Sequence, residues 1–571
     1  MPALYPYPGL RPFTEEESIF FKGRETQVDR MVKRLEEKKF LMVNGASGDG
    51  KSSLVFAGLI PYAKAGFFKA KYNQWLVADF RPERSPLKNL ALSLSGKLGL
   101  TDVQQTQKEL SFGFSALIDL YKKSPYYIDE QGKDWVEADE MQRKVMRRKG
   151  ANLLILADQF EEFFTNPENY SNGNPGIESQ QAVNILLETY RIAVEQNIPV
   201  YVVCTMRSDY IGQCAAFRGL PEAIGYSQFF VPRLKRQELE QVIESPAELA
   251  GGKVNKRLVQ ILINNLNDGF DQLPILQHAL NRMWRFAEEG KEELDILHLA
   301  MAGGIEGKFL PPSQKENFAN WLENQPPYKK ELLKKPSLKN VLNAHANELM
   351  HEASNYVKKH FGEELETEKA SLFIEHTFRC LTKVDASRAV RNRMSLGEIA
   401  GIIGLQEEDF KRLGHALNIF REQGNTLIQP FLIDTDRSEI KPETVLDITH
   451  ESLIRNWMQL HEWADKEHES LNTYLDLRKQ MMRWRANAFS NVFLLPLGTL
   501  NVFEDWFNKV KPNEYWLKRY RNDVPAKEIG DLSVEEELSL LKKFLKAGIR
   551  KNLISRLILR HGKTISIAAS V

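Results

Sequence analysis

One loop near the start of the chain has the residue types and spacing of a phosphate-binding site. Gly45 and the run Gly50-Lys51-Ser52 satisfy the pattern G-x-x-x-x-G-K-[ST]. Glycines let the backbone turn its N–H groups toward a phosphate, the lysine reaches the β- and γ-phosphates, and the serine hydroxyl holds Mg²⁺. A glycine-rich turn without a ligand is the alternative, which an apolar strand before the loop and a helix after it disfavour. The predicted nucleotide-binding residues of the loop are Gly45, Ser47, Gly48, Asp49, Gly50, Lys51, Ser52 and Ser53.

Three acidic residues follow a second buried strand, predicted at 153–157. Asp158 ends this strand, and Glu161 and Glu162 come three and four residues later. In a phosphate-loop enzyme the acid at such a strand end binds Mg²⁺, and a nearby carboxylate orients and deprotonates the attacking water. We therefore predict that Asp158 and Ser52 hold the metal and that either Glu161 or Glu162 activates water. Solvated acids at a strand end are the alternative, which the upstream loop disfavours.

Three further residues stand at junctions where chemistry is plausible. Arg207 lies in the polar end of a strand predicted at 199–209, and parallel strands deliver their carboxyl ends to the edge that carries the phosphate loop. Arg207 is thus predicted to contact the γ-phosphate, with a salt-bridged loop arginine as the alternative. Arg24 by itself is better explained as a solvated residue at a helix start. His450, at a strand-to-helix junction, is by itself better explained as a histidine satisfied by its neighbours.

The elements that must position these residues fall into an α/β part and an all-α part. Strands alternate with helices up to about residue 234, and helix follows helix from 235 onward. Glycine and proline pairs indicate loops and an insertion between 301 and 340. Residues 373–384 are predicted to be helical. Two helices at 396–403 and 407–420, followed by strands at 427–433 and 444–448, predict a winged helix.

Composition narrows the class of protein. The chain has 571 residues and a net charge of +1, which favours three or four soluble domains and argues neither for nor against nucleic acid. Three cysteines without metal-ligand spacing favour a reducing compartment, so we expect a cytoplasmic location. Arginines stand at 388, 391 and 393 in the predicted winged-helix region, but no recognition helix there is conspicuously basic, so nucleic acid is not favoured as a partner.

The end of the chain is basic and apolar. No acid follows Glu537, and cations interleave with apolar residues, as in a membrane-surface helix or a partner helix. Residues 565–571 are apolar but too few to cross a bilayer. An apolar run after a basic cluster is typical of the start of a transmembrane helix, so we expect a longer chain that continues through a membrane.

Seven motifs follow one another in a fixed order along the chain. They are PGLRPF (8–13), FKGRE (21–25), the phosphate loop, DQFEEFF (158–164), VPRL (231–234), LPILQHAL (273–280) and HESLIRNW (450–457). This order resembles the bacterial conflict-systems STAND NTPase domain, which often precedes a WD-repeat β-propeller; STAND denotes signal-transducing ATPases with numerous domains. The resemblance covers roughly residues 5–520, and the motif order is more specific than the phosphate loop alone.

The resemblance implies roles for single residues. Arg24 lies near the adenine end of the site, and Pro274 resembles the lid proline that packs on the base. Arg207 resembles the first sensor, and Glu161-Glu162 resembles the acidic pair of the related NACHT group. His450 resembles the winged-helix histidine that reads the β-phosphate of ADP.

The resemblance also implies an architecture. We expect an N-terminal arm (1–25), a P-loop NTPase α/β domain with a parallel sheet (26–234), a helical lid (235–300), a linker with an insertion (301–365), a winged helix (366–465) and a helical C-terminal tail (466–571). Two departures from the family pattern are an insertion at about 308–340 and the absence of a propeller or other repeat that senses a signal.

The expected function is an ATP-binding, slowly hydrolysing switch with ATP or ADP and Mg²⁺ as cofactors. ADP keeps it closed, and the ATP form opens and forms homo-oligomers under control of an unknown protein trigger and effector, in bacterial defence or stress signalling. Two alternatives stay open. One is a DNA-dependent ATPase of the origin-binding or helicase-loader type. The other is a nucleotide-binding scaffold without turnover.

Overall fold

The computed structural model describes residues 5–166, 168–171, 173–266, 271–306, 309–334, 337–361, 367–385, 388–432, 440–521, 524 and 532–553. The chain forms two compact units, Met1–Val341 and Leu342–Val571. The predicted combination of an α/β part and a mostly helical part is confirmed. The apolar run predicted at 565–571 lies outside the described residues.

The first unit is built on a five-stranded parallel sheet of order β2-β3-β6-β1-β7. Both β1 and β3 are buried along their whole length, because helices cover both faces of a parallel sheet. A separate antiparallel hairpin is formed by β4 and β5. The strands are β1 (Phe40–Gly45), β2 (Gln74–Phe80), β3 (Ala151–Ala157), β4 (Tyr170–Ser171), β5 (Asn174–Pro175), β6 (Val200–Arg207) and β7 (Gln228–Phe230).

Helices cover the two faces of this sheet and give two apolar layers. One layer includes Phe40 and Leu153 with Leu90 and Leu186, and the other includes Leu41 with Val32. Alternate residues of one strand thus serve opposite layers. The helices are α1 (Glu25–Lys38), α2 (Lys51–Ser53), α3 (Ile60–Tyr62), α4 (Pro86–Leu98), α5 (Val103–Ser111), α6 (Ala116–Lys123), α7 (Lys133–Val136), α8 (Glu140–Lys149), α9 (Glu162–Thr165), α10 (Ile177–Glu195) and α11 (Leu220–Tyr226).

The helix after the phosphate loop is irregular. α2 and α3 alternate with two π-helical stretches, Leu54–Leu59 and Ala63–Phe67, and the last stretch is kinked at Gly66, which has a φ of 88°. The predicted helix therefore exists, with wider turns than an α-helix.

A helical region with its own core completes the first unit. The N-terminal arm is anchored there, because the buried hydroxyl of Tyr7 donates to the carbonyl of Ile243 and Asn281 Nδ2 donates to the carbonyl of Tyr7 at 2.7 Å. His278 is also buried in this region, and burial lowers its pKa to about 3. The helices are α12 (Arg236–Leu249), α13 (Lys256–Asn265), α14 (Gln272–Phe286), α15 (Ile296–Gly303), α16 (Pro312–Glu323) and α17 (Pro327–Leu332).

The loops predicted between 301 and 340 are partly wrong. Pro312 and Pro327 are the first residues of α16 and α17 rather than residues of loops. Proline suits the first helical turn because its fixed φ fits the helix and its missing N–H has no helical partner there.

The second unit combines helices with two small antiparallel sheets. One sheet has the order β10-β12-β11, and β8 pairs with β9 in a hairpin. The helices are α18 (Leu338–Phe361, which begins at the end of the first unit), α19 (Thr367–Cys380), α20 (Leu396–Ile403), α21 (Glu407–Arg421), α22 (Glu451–Asn456), α23 (Met458–Ala486), α24 (Leu497–Val510), α25 (Glu514–Tyr520) and α26 (Val534–Lys551). The strands are β8 (Thr382–Asp385), β9 (Arg388–Arg391), β10 (Met394–Ser395), β11 (Ile428–Gln429) and β12 (Val445–Ile448).

The helix predicted at 373–384 is wrong at its end. α19 stops at Cys380, and the next residues form β8, which pairs with β9 from Thr382↔Arg391 to Asp385↔Arg388. Tertiary pairing here overrides the local helical pattern. α23 runs without a break across the domain boundary predicted at 465/466, and the six-part division stays a prediction.

Buried ion pairs tie the helices of the second unit together. Glu467 of α23 accepts hydrogen bonds from Arg379 Nε at 2.8 Å and from Arg519 Nη1 at 2.9 Å. Burial raises the pKa of Glu467, but the positive charges of Arg519 and Arg379 lower it by more. The pKa of Glu467 therefore lies below its ordinary value. Arg478 Nε donates to Glu537 of α26 at 2.8 Å. No helix among the described residues has the length and apolar character that a bilayer span requires.

Candidate nucleotide-binding site

The phosphate loop leaves the carboxyl end of β1 and closes on itself. Asp49 Oδ2 accepts a hydrogen bond from the N–H of Ala46 at 2.6 Å. Gly48 and Gly50 have φ values of 85° and 82°, a region that side-chain-bearing residues rarely adopt. Leu54 N–H donates to the carbonyl of Gly50 at 2.9 Å, which starts the following helix. The positive φ values at Gly48 and Gly50 are thus the conformation that glycines give to a phosphate-binding loop.

Lys51 lies inside this loop. Its Nζ donates to the carbonyls of Gly45 at 3.1 Å and Ala46 at 2.8 Å. Burial lowers the pKa of Lys51, and the negative charges of Glu161 and Asp49 oppose the shift. An ammonium held among carbonyl oxygens is positioned for exchange onto phosphate oxygens, which are stronger acceptors.

Ser52 and Asp158 form the predicted metal pair. Ser52 Oγ donates to Asp158 Oδ1 at 2.7 Å, and Asp158 is only 2% exposed. The second carboxylate oxygen, Oδ2, is buried and accepts no hydrogen bond, and Arg81 Nε lies 3.4 Å from it as an ion-pair partner. A buried carboxylate oxygen beside a hydroxyl fits Mg²⁺, which binds through one or two protein oxygens, water and phosphates. When bound, Mg²⁺ neutralises charge on the phosphates.

Glu161 lies within the same cluster of charges. Its Oε2 accepts a hydrogen bond from the backbone N–H of Arg207 at 3.2 Å. Protein atoms crowd this partly exposed carboxyl group, so burial raises the pKa of Glu161 while Lys51 and Arg207 pull it down. A carboxylate whose pKa is raised is a stronger base than an ordinary glutamate, which suits a group that takes a proton from water.

Glu162, the neighbour of Glu161, has different contacts. It is 7% exposed, and its Oε2 accepts a hydrogen bond from the N–H of Glu83 at 2.9 Å. Glu83 follows β2, so Glu162 connects the segment after β3 to the loop after β2. This hydrogen bond gives the carboxylate of Glu162 a structural role in the fold.

Arg207 lies beside the first residue of the phosphate loop. β6 pairs with β1 so that Arg207 is opposite Gly45. The guanidinium Nη2 donates to Asp209 Oδ2 at 2.8 Å and lies over the ring of Tyr210. Arg207 therefore lies beside the phosphate loop and also forms a salt bridge with Asp209.

Arg24 joins the helix α1 to the phosphate loop. Its Nη1 donates to the carbonyl of Pro232 at 2.6 Å, and its Nη2 donates to the carbonyl of Asp49 at 3.2 Å. Arg24 is 4% exposed, and burial lowers its pKa to about 10. The solvated helix-start alternative therefore does not describe this residue.

The first turn of α14 touches the phosphate loop. A Cβ built on Gly48 would lie 3.0 Å from Cα of Asp271 and 3.3 Å from Cδ of Pro274. Asp271 precedes α14 with a φ of 64° and is 4% exposed. The absence of a side chain at Gly48 thus allows the helical region to approach the loop.

Two predicted nucleotide-binding residues have other contacts. Ser53 Oγ accepts a hydrogen bond from the N–H of Phe13 at 3.1 Å and so contacts the N-terminal arm. His450 belongs to the second unit, where its Nδ1 accepts from the N–H of Ser452 at 3.0 Å and caps α22. Contact of either side chain with nucleotide stays a prediction.

Sequence reasoning missed three neighbours of the site. Thr205 Oγ1 donates to Asp158 Oδ1 at 2.7 Å and accepts from the N–H of Gln159 at 3.0 Å. Arg81 Nε lies 3.4 Å from Asp158 Oδ2. Arg81 directly follows β2, and this position at the carboxyl edge of the sheet could have identified it from the sequence as a neighbour of the site. Asp271 gave none, because nothing local predicts a positive φ at this residue.

A parallel sheet with a phosphate loop after β1, an acid after β3 and the strand β6 between them defines a P-loop NTPase. The model of the family described as Novel STAND NTPase 1 matches residues 6–324 and 338–491. The chain belongs to this family, and it is a nucleotide-binding protein of the STAND class. The family match skips 325–337, inside the region where an insertion was predicted.

Several solved structures are similar to this chain at low identity. The ORC2 protein of Aeropyrum pernix, in complexes with ADPNP and ADP, is 13% identical over 78% of this chain and 94% of that chain, with a TM-score of 0.34. The ORC1 protein of the same organism in complex with DNA is 11% identical over 78% and 93%, with a TM-score of 0.33. The Walker-type ATPase paby2304 of Pyrococcus abyssi is 12% identical over 79% and 99%, with a TM-score of 0.30. A search of curated proteins found no match.

Proposed function

We propose that this protein is a slow ATPase switch, in which bound ADP favours a closed form and ATP favours an open form that assembles into homo-oligomers. Its output is bacterial defence or stress signalling, driven by a protein trigger and passed to a protein effector. Nucleotide binding follows from membership of the family, and the proposal adds that the bound nucleotide controls the conformation of the protein.

The observation that supports the proposal most is the contact of Gly48 in the phosphate loop with Asp271, which precedes α14, and with Pro274 in the first turn of α14. A γ-phosphate that reorients the loop must therefore displace the helical region or be resisted by it. Such a contact gives ATP and ADP different interaction energies in two conformations, which a nucleotide switch requires.

Hydrolysis is proposed to use Glu161 as the base that orients and deprotonates water. Ser52 and Asp158 hold Mg²⁺, Lys51 binds the β- and γ-phosphates, and Arg207 contacts the γ-phosphate. The 3.2 Å hydrogen bond from the N–H of Arg207 to Glu161 supports the assignment of Glu161 over Glu162. Because charge is neutralised by preorganised groups, hydrolysis needs little covalent chemistry from the protein.

The second unit is proposed to contain a winged helix, with α19–α21 as its helices and β10–β12 as its sheet. His450 at its α22 is proposed to read the β-phosphate of ADP, and Arg24 and Pro274 to lie at the base. DNA binding receives no support here, because Arg391 and Arg393 both donate to Asp447 Oδ2, at 3.1 and 3.0 Å.

The test is the size of the protein in each nucleotide state. Sedimentation velocity of the Glu161→Gln variant should show monomer with ADP and an oligomer with ATP. Equal sedimentation in both nucleotides, with binding of both shown by titration, would refute the switch. A scaffold without turnover is distinguished by the absence of phosphate release from the wild-type chain.

A further inference from the structure

A basic groove runs beside the edge strand β7, and no role has been assigned to it. It has a volume of about 790 Å³. It lies between α1 and the end of the sheet, and it includes none of the residues proposed to bind nucleotide. The lining residues are Arg30, Lys33, Arg34, Glu37 and Lys38 of α1 and Gly225, Tyr226, Gln228, Phe229 and Phe230.

The charge of the groove is unbalanced. Four of its side chains are cationic, and Glu37 is the one acid in the lining. Within the described part of the chain, Arg30, Lys33 and Lys38 form no salt bridge, and Lys38 Nζ instead lies 4.5 Å from the ring centre of Tyr226. Cations that the protein itself does not pair create a positive field suited to an acidic partner.

The strand on the other side of the groove offers backbone groups. Met42 N–H donates to the carbonyl of Ser227, and Val231 N–H donates to the carbonyl of Asn44. Since residues of a parallel strand alternate, the N–H and C=O groups of Gln228 and Phe230 point away from β1. The carbonyl of Gln228 accepts a hydrogen bond from Arg34 Nη1. β7 is an edge strand, and its remaining outward groups, the N–H of Gln228 and the N–H and C=O of Phe230, can pair with an added strand.

Exposed aromatic surface completes the groove. Phe230 is 53% exposed and Tyr226 is 44% exposed. Large apolar side chains at the rim of a polar groove are typical of protein-binding surfaces.

We propose that this groove binds an extended acidic segment of a partner protein, which adds to β7 as a further strand. From Arg30 to Lys38 the helix rises ~12 Å at about 1.5 Å per residue. About four residues of a strand span that length at ~3.3 Å each. Acidic side chains at alternate positions of the added strand lie on one face, ~6.6 Å apart. Arg30, Arg34 and Lys38 follow one another at ~6 Å of helix rise, so acids and cations have similar spacing.

This occupant is favoured over two others. A second copy of this chain, joined edge to edge, would bring two sets of four cations together. A nucleic acid would match the charge but has no backbone that continues a sheet. An acidic peptide matches the positive charge of the groove, and its backbone can pair with the edge strand β7.

The experiment uses the full chain and a fluorescein-labelled peptide of eight residues in which glutamate and valine alternate. Fluorescence anisotropy should show saturable binding to the wild-type chain. The double variant Lys33→Glu, Lys38→Glu should weaken binding at least about tenfold, since two attractive contacts become repulsive. The matched control is Lys97→Glu, Lys108→Glu, which makes the same charge change on exposed residues of α4 and α5 outside the groove and should leave binding within about twofold.

A second peptide separates strand addition from simple charge attraction. N-methylation of alternate peptide nitrogens keeps every charge but removes ladder donors, and it should also weaken binding at least about tenfold. Retained nucleotide binding in each variant shows that the fold is intact. The proposal is overturned if the wild-type chain shows no saturable binding, if N-methylation has no effect, or if a 20-nucleotide single-stranded DNA binds tighter than the peptide.

Discussion

Glu161 and Glu162 have the same side chain and adjacent positions, and the structure gives them different surroundings. Glu161 lies among Lys51, Arg207 and Asp158, whereas Glu162 accepts a hydrogen bond from Glu83 N–H. The sequence reduced the water-activating residue to these two acids by their distance from Asp158. It did not separate them, because the turn after β3 decides which carboxyl group faces the phosphate loop.

Exchange of each acid for glutamine should therefore have different effects. Glu161→Gln removes the base but keeps the shape of the side chain, so the rate of ATP hydrolysis should fall by about 10²-fold or more while ATP affinity is retained. Glu162→Gln should keep hydrolysis. Single-turnover phosphate release and nucleotide titration measure the two properties. Normal hydrolysis by Glu161→Gln would contradict the assignment.

The pH dependence of hydrolysis provides a second check on Glu161. A general base works only when it is deprotonated, and burial raises the pKa of this carboxyl group above the ordinary value for glutamate. The acid side of the kcat/KM profile should therefore turn down at a higher pH than an ordinary glutamate would give. A profile that stays flat down to the ordinary glutamate pKa would exclude Glu161 as the base.

Among the contacts between elements, the proposed switch depends on the one between the phosphate loop and the start of α14. Gly48→Ala should cost about 1–2 kcal/mol for its positive φ and should also push against Asp271. Gly66→Ala is the matched control, because Gly66 has a φ of 88° and a Cβ there meets nothing within 4 Å. Nucleotide affinity should fall about tenfold for Gly48→Ala and stay unchanged for Gly66→Ala. Equal affinities would show that the contact does not affect the site.

The ion pairs around Glu467 stabilise the second unit from within. Glu467→Gln leaves Arg379 and Arg519 buried without their shared carboxylate, and loss of one partner of a buried pair costs ~3–5 kcal/mol. Glu462→Gln, at an exposed position of the same helix, should change the free energy of unfolding by less than about 0.5 kcal/mol. Urea unfolding with a probe in the second unit measures both. Similar curves for the two variants would contradict the structural role of the ion pairs.

Elements whose pattern is local were well predicted, and those that depend on distant pairing were not. β1, β3 and β6 are continuous apolar runs, so both their existence and the polar residues at their ends follow from the sequence. The pairing of β8 with β9 was missed because the stability of these strands comes from their contact with each other and not from a local residue pattern. The close approach of α14 to Gly48 depends on a positive φ at Asp271, which no residue pattern announces.

At the scale of the whole molecule, the switch and a DNA-dependent ATPase differ in their response to DNA. Arg391 and Arg393, two of the arginines weighed for DNA contact, are both bound to Asp447. Steady-state ATP turnover should therefore stay within about twofold when duplex DNA is added at low salt, where electrostatic binding is strongest. Strong stimulation that disappears as salt rises would favour the DNA-dependent alternative.

The proposed switch requires that the chain hold ADP in its resting form. The nucleotide released by acid from the freshly purified wild-type chain, identified and quantified by chromatography, tests this requirement. We expect stoichiometric ADP from the wild-type chain and none from Lys51→Ala, which lacks the ammonium proposed to bind the phosphates. A nucleotide-free wild-type chain, or equal ADP in both proteins, would contradict the proposed switch.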